Sequence, residues 1–327
     1  MNEQSMTSNA RNTGMSGRLV LGEAPTVCLF LIAVLLPLFV ESYLVSGLTR
    51  ILVYGLAAGA VGFLIYHGGL VSFGHAAFFG IGGYTVLVAQ LSGLNEALIV
   101  WPLAALIAAA AGFVIGGMSL KTRGVAFIMI TLGFSQMIFF VLSSLPPIGS
   151  SDGMGLTERN VLAGYSLAAD LSFHFVVVTI VAVCVIFMKM LSRSPFGLAL
   201  RSIRQNERRV ISLGFDTYRI QLAAFIFSAA LTGLAGALAA NFYLFVSPVF
   251  LSWLLSGELL VMAALGGLGP IAGGLFGSAL LIGVEAAVSE YTTYWRLFLG
   301  PMVILSVLFF KQGLEPSIRR LAGGRYD

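Results

Sequence analysis

The 327-residue chain is 58% hydrophobic and only 10% charged, with 18 Lys and Arg against 14 Asp and Glu. An ordinary globular protein carries about 25% charged residues, so this composition excludes a soluble surface and predicts that most of the outside faces lipid. It also argues against a nucleic-acid binder, because the basic residues punctuate apolar runs and build no polar domain.

In chain order, residues 1–25 form a polar, Gly/Ser-rich tail with Arg11 and Arg18 before the first apolar run. That run continues through "TVCLFLIAVLLPLFV" without a small-x-small cleavage site, so it is expected to be an uncleaved first span. A span needs about 20 mainly apolar residues. Ten segments meet this pattern: 26–42, 48–66, 74–92, 97–119, 124–144, 171–191, 219–242, 254–268, 271–289 and 294–311. The expected fold is therefore all-α and polytopic, with a transmembrane domain over 26–311 and a basic tail over 312–327. The eighth segment is short and runs into "GGLGP", as a half-helix or re-entrant segment does. The third begins inside the Gly-rich "GGLVSFGHAAFFGIGG".

Charge orients these spans. With the N-terminus inside and the chain alternating, fifteen basic residues fall inside: Arg11, Arg18, Lys121, Arg123, Lys189, Arg193, Arg201, Arg204, Arg208, Arg209, Arg219, Lys311, Arg319, Arg320 and Arg325. Only Arg50, Arg159 and Arg296 fall outside. Positive residues concentrate on the cytoplasmic side of membrane proteins, so both termini are expected there. The largest external loop is then 145–170, with Asp152, Glu158, Arg159 and Asp170, and the largest cytoplasmic loop is 192–218.

That cytoplasmic loop is more organised than a topology signal requires. Ser194 followed by Pro195 is a preferred helix start. Leu200, Ile203 and Val210 recur on one face, interrupted by Glu207, while Arg201, Arg204 and Arg208 line a neighbouring face. Gly214 suits the left-handed residue that closes a helix, and Asp216 or Thr217 can cap the next one. Two roles fit this amphipathic helix: its arginines meet anionic lipid, or it docks a soluble partner.

Other candidates are sparse. "GGMSLKT" at 116–122 fails the phosphate-loop pattern, with Ile115 and Leu120 where Gly is needed, and it ends an apolar helix. ATP would thus have to be hydrolysed by another chain. Glu258 and Glu285 fall within apolar runs, where an acid faces the bundle interior, a water path or the wet boundary. His67, His75 and His174 are scattered and predict no metal site; His75 reads as a helix-start residue near the inner surface. Cys28 and Cys184 read as small buried hydrophobes. Gly269, Gly273 and Gly277 recur every four residues, which suits close helix crossing. The shared "GGL" at Gly68 and Gly266 fits either parallel repeats or chance similarity of glycine-rich turns.

Several long segments carry a family resemblance. "SPFGLALRSIRQNE" and "LGFDTYRIQLAAFIFSAALTGLAGAL" resemble the cytoplasmic loop and following helix of LivM-type permease subunits in bacterial branched-chain amino acid ABC importers. "GLVSFGHAAFFGIGGYT", "TRGVAFIMITLGFSQM", "SDGMGL" and "LLVMAALGGLGPIAGGLFGSALL" resemble further segments in the same order. The resemblance spans about 50 to 314. It implies a non-enzymatic subunit of the bacterial inner membrane that binds no cofactor itself. The implied partners are a second homologous permease, two cytoplasmic ATPases carrying ATP and Mg, and an external solute-binding protein. It also implies that the loop is the coupling element seated in an ATPase groove. Glu207 and Gly214 match that element, whereas Arg209, Val210 and Ile211 replace its Ala-Ala-Glu-like residues. Coupling would then fall to Arg201, Arg204, Glu207, Arg208 and Gly214, and the substrate path would pass Glu285 and Glu258. Urea, short amides or other amino acids are alternative substrates for such a permease. The rival class is an ion-coupled transporter working alone through Glu258 and Glu285.

Overall fold

The computed structural model describes residues 26–38, 42–267, 272–289 and 300. Both predicted tails and the predicted tenth span, 294–311, lie outside the described residues. Helices occupy the other nine expected positions: α1 (Thr26–Leu35), α2 (Ser42–Phe63), α3 (His75–Leu91), α4 (Ala97–Ser119), α5 (Val125–Ser143) and α6 (Asp170–Arg193) precede the basic loop. The loop forms α7 (Pro195–Ser212), followed by α8 (Thr217–Tyr243), α9 (Trp253–Gly266) and α10 (Gly273–Ser289). A single π turn, Leu64–Gly68, continues α2.

Among the described residues, five helices are long and apolar enough to cross a membrane: α2 with its π turn, α4, α5, α6 and α8. The others are shorter. The 14 residues of α9 reach only about 21 Å at 1.5 Å per residue, against a hydrocarbon core of about 30 Å. The half-length expectation for this segment agrees with that length.

The long helix α8 is the hub, packing on α2, α3, α4 and α7. Glycine permits its closest approach: a Cβ at Gly82 of α3 would collide with the Gly233 carbonyl, and one at Gly236 with the Phe79 carbonyl. Helix directions follow from paired contacts. Thr49 Oγ1 meets His174 Nδ1 at 2.7 Å, and Ser192 Oγ meets His67 Nε2 at 2.7 Å. Helices α2 and α6 therefore run parallel. On α10, Ser278 approaches Gly55 while Gly274 approaches Gly59, so α10 runs antiparallel to α2. The Gly112–Ala229 and Gly116–Phe225 approaches make α4 antiparallel to α8. These directions are those of a chain that alternates.

Several expectations need correction. His75 starts α3 but does not lie near an end of the bundle. It is buried, with Nε2 2.9 Å from Ser228 Oγ, and Ser228 lies roughly 17 Å along α8 from Thr217. The segment 69–74 thus re-enters the bundle, and α3 begins within it. Cys184 is buried as expected, but Cys28 is exposed on α1. The two "GGL" junctions also differ. Helices α9 and α10 form a tight hairpin in which Gly277 abuts the Met262 carbonyl and Gly266 abuts Gly273, whereas α2 and α3 each pack on α8. Gly273 and Gly277 serve close crossing as predicted; Gly269 lies outside the described residues.

The 145–170 loop is folded, and it adds short strands to the helical architecture. β1 (Met154–Gly155) pairs antiparallel with β4 (Phe245–Val246), and β2 (Val161–Leu162) with β3 (Tyr165–Ser166). Arg159 holds this cap in place by donating to the carbonyls of Asn241, Leu167 and Ala168 and pairing with Asp170 at 2.6 Å. Among the described residues, the 66–74, 120–124 and 192–218 connections, expected inside, meet at one end of the bundle, and the 92–96, 145–170 and 244–252 connections, expected outside, meet at the other.

Candidate functional site

At the α7 end, local sequence sets the geometry. Ser194 Oγ accepts from Gly197 N at 3.4 Å, with Pro195 at the first helical position. Gly214 has φ +87°, and Asp216 Oδ1 accepts from Arg219 N at 3.1 Å to cap α8. Leu200, Ile203 and Val210 are buried as expected.

One feature was not expected. Asn206 (φ −157°, ψ 91°) breaks α7, and its Oδ1 accepts from Arg209 N at 3.1 Å. It therefore acts as an N-cap for the second segment. This break divides the predicted arginine row. Arg201 turns back to donate to the Ser192 carbonyl at 3.3 Å. Arg204 donates to the Tyr66 carbonyl and lies 5.3 Å over the Tyr66 ring. Arg208 and Arg209 remain exposed beyond the break.

Glu207 explains the gap in the apolar row. Its two oxygens take Arg123 at 2.7 Å each, and Oε1 also accepts from Thr217 Oγ1 at 3.1 Å. Its side chain is only 17% exposed, against 73% for Arg123. Glu207 thus ties α7 to the α4–α5 loop and to the start of α8. A cavity of about 410 Å³ lies between these parts, lined in part by Gly69, Leu120, Arg123, Arg204 and Glu207. Outward, the second segment and its turn present Ile211, Leu213 and Phe215 beside Arg208 and Arg209.

At the opposite end, Glu285 is held by Arg50: Nη2 donates to its two oxygens at 3.0 and 2.8 Å. Arg50 lies 5.9 Å from the Tyr54 ring centroid. The Tyr54 and Tyr243 hydroxyls are 3.4 Å apart, and Glu258 is within electrostatic reach of Tyr54. The structure therefore places the two predicted acids in one region, converging from α9 and α10. Sequence reasoning missed Arg50, Tyr54, Tyr243 and Arg123. The available signal was Arg50 itself, a lone charge at the third position of the second predicted span.

A multi-pass helical bundle, closed at one end by a braced basic helix and at the other by a folded cap, is the architecture of a membrane transport subunit. The chain belongs to the family described as branched-chain amino acid transport system, permease component, which matches residues 43–307. It is 29% identical over 321 residues to the high-affinity branched-chain amino acid transport system permease protein LivM of Escherichia coli K12, covering 90% of this chain and 75% of that one. It is 25% identical over 306 residues to the permease protein BraD of Pseudomonas aeruginosa, covering 85% and 97%. A shorter similarity, 28% over 147 residues, joins it to LivH of Salmonella typhimurium, covering 42% and 47%. No solved structure matches the chain.

Proposed function

We propose that this permease subunit forms half of the translocation path of an ABC importer for branched-chain amino acids in the bacterial inner membrane, with both termini cytoplasmic. A second homologous permease completes the path. Two cytoplasmic ATPases supply ATP binding and hydrolysis with Mg, an external binding protein delivers the solute, and this chain catalyses no reaction.

One observation carries the coupling role. The first segment of α7 is tied to the bundle through Arg201 and Arg204, and Glu207 anchors the start of the second, which then presents Arg208, Arg209, Ile211, Leu213 and Phe215 outward. A rigid attachment on one side and an exposed basic, apolar face on the other suit an element that passes motion from a soluble partner into the bundle. The tie from Arg204 to Tyr66 leads directly into the π turn and the re-entrant segment 69–74. Glu285 and Glu258 border the path at the other end. Since Arg50 engages Glu285, the pairing of two acids that an ion-coupled transporter would need is less favoured.

Uptake of radiolabelled leucine by proteoliposomes holding the complete complex tests this reading. Uptake is expected to require ATP and to vanish when the ATPases are omitted. Uptake that persists without them, driven by a proton or sodium gradient, would overturn it.

A further inference from the structure

Resting on the importer reading, we infer that Arg50 and Glu285 form an outer-end subsite that takes the two charged ends of a zwitterionic amino acid. A closed ring of aromatic side chains beneath them receives its apolar side chain.

The pair is unlike a simple brace. Arg50 meets Glu285 through Nη2 alone. Its Nε is buried and has no hydrogen-bond partner among the described residues. A buried donor left unsatisfied is costly, and such groups call for an explanation. The guanidinium is a planar fork that suits two-point binding of a carboxylate. A ligand carboxylate on the Nε edge would satisfy the orphaned donor. Glu285 oxygens, each with a second lone pair, would then take the ammonium.

Below the pair, four rings from four parts of the chain close on one another. Tyr54 of α2 contacts Phe79 of α3 at 5.6 Å between centroids, Phe79 contacts Phe250 at 5.5 Å, and Phe250 contacts Tyr243 at 6.0 Å. The Tyr243–Tyr54 hydroxyl contact completes the circle. Paired charges over an aromatic ring match a small zwitterion with a hydrocarbon side chain. They do not match urea or a short amide, which carries no net-charged ends. Because the ring is built from α2, α3, α8 and the turn before α9, relative motion of these elements would open it.

The test uses the complete complex in proteoliposomes, with leucine as the probe. Arg50→Lys keeps a charge opposite Glu285 and removes the fork. It is expected to leave assembly and thermal unfolding unchanged and to lower leucine uptake at limiting substrate by about tenfold to a hundredfold, the range for losing a charged hydrogen bond. The exchange Arg50→Glu with Glu285→Arg keeps the ion pair and should retain the wild-type unfolding temperature while losing uptake. Wild-type uptake by either variant would show that the pair is only a brace. A wild-type complex that imports urea or an amide but no amino acid would overturn the importer's substrate assignment and this subsite together.

Discussion

At the scale of single residues, what the sequence revealed was what neighbouring residues decide. Ser194 with Pro195, Gly214 and Asp216 mark their helix ends through contacts within three or four positions, and all act as expected. Arg50 with Glu285, separated by 235 positions, carried no local sign of each other. Glu207 was visible only as an interruption; its partner Arg123 could not be chosen from among the basic residues of that side. Asn206 was hidden because a capping side chain inside a helical pattern looks like any exposed polar residue. Gly214 offers a direct prediction. Its positive φ is disfavoured for a β-branched residue, while a Cβ there would meet nothing within 4 Å. Gly214→Val should thus act through backbone strain of about 1–3 kcal/mol, without a clash. The variant is expected to insert normally, yet to retain the ATPases poorly on co-purification or to hydrolyse ATP without uptake. Full retention with full uptake would reduce α7 to a lipid-facing charge cluster.

At the scale of elements, hydropathy located nine described helices but could not say how deep each one starts. The onset of α3 at His75 is set by the Ser228 hydrogen bond and by the glycine contacts with α8, which involve residues more than 150 positions away. The α9–α10 hairpin is held by backbone approach at Gly266, Gly273 and Gly277. Overpacking such a contact costs about 1–3 kcal/mol. Gly277→Ala should accordingly lower the unfolding temperature in detergent. Gly283→Ala on the same helix, with nothing within 4 Å of its Cβ, should leave it unchanged or raise it slightly, since Ala is the better helix former by about 0.5–1 kcal/mol. Equal effects from the two would mean that helix propensity, not crossing distance, governs α10.

For the whole molecule, the segregation of charge was the strongest long-range signal in the sequence, because membrane orientation acts on every loop at once. The packing agrees: Arg123, Arg201 and Arg204 gather at one end, and Arg50 and Arg159 at the other. Cysteines placed at Gly155 and Gln205, both exposed, should label from opposite faces of intact cells. Labelling from one face would break the alternating topology. The parallel pair α2–α6 has a further consequence. Its two histidine bonds join residues at an identical offset of 125. Thr49 and His67 stand 18 residues apart, as do His174 and Ser192, a spacing of about five full turns along α6 at 3.6 residues per turn. Both bonds therefore sit on the same face of each helix, like pins through two rails. An inserted residue between the pins would turn the rest of that helix by about 100° and carry one histidine or its hydroxyl out of reach. Among natural variants of this protein, changes of length within these two stretches should be confined to simultaneous, matching gains or losses in both helices, while loops beyond the pins stay free to grow.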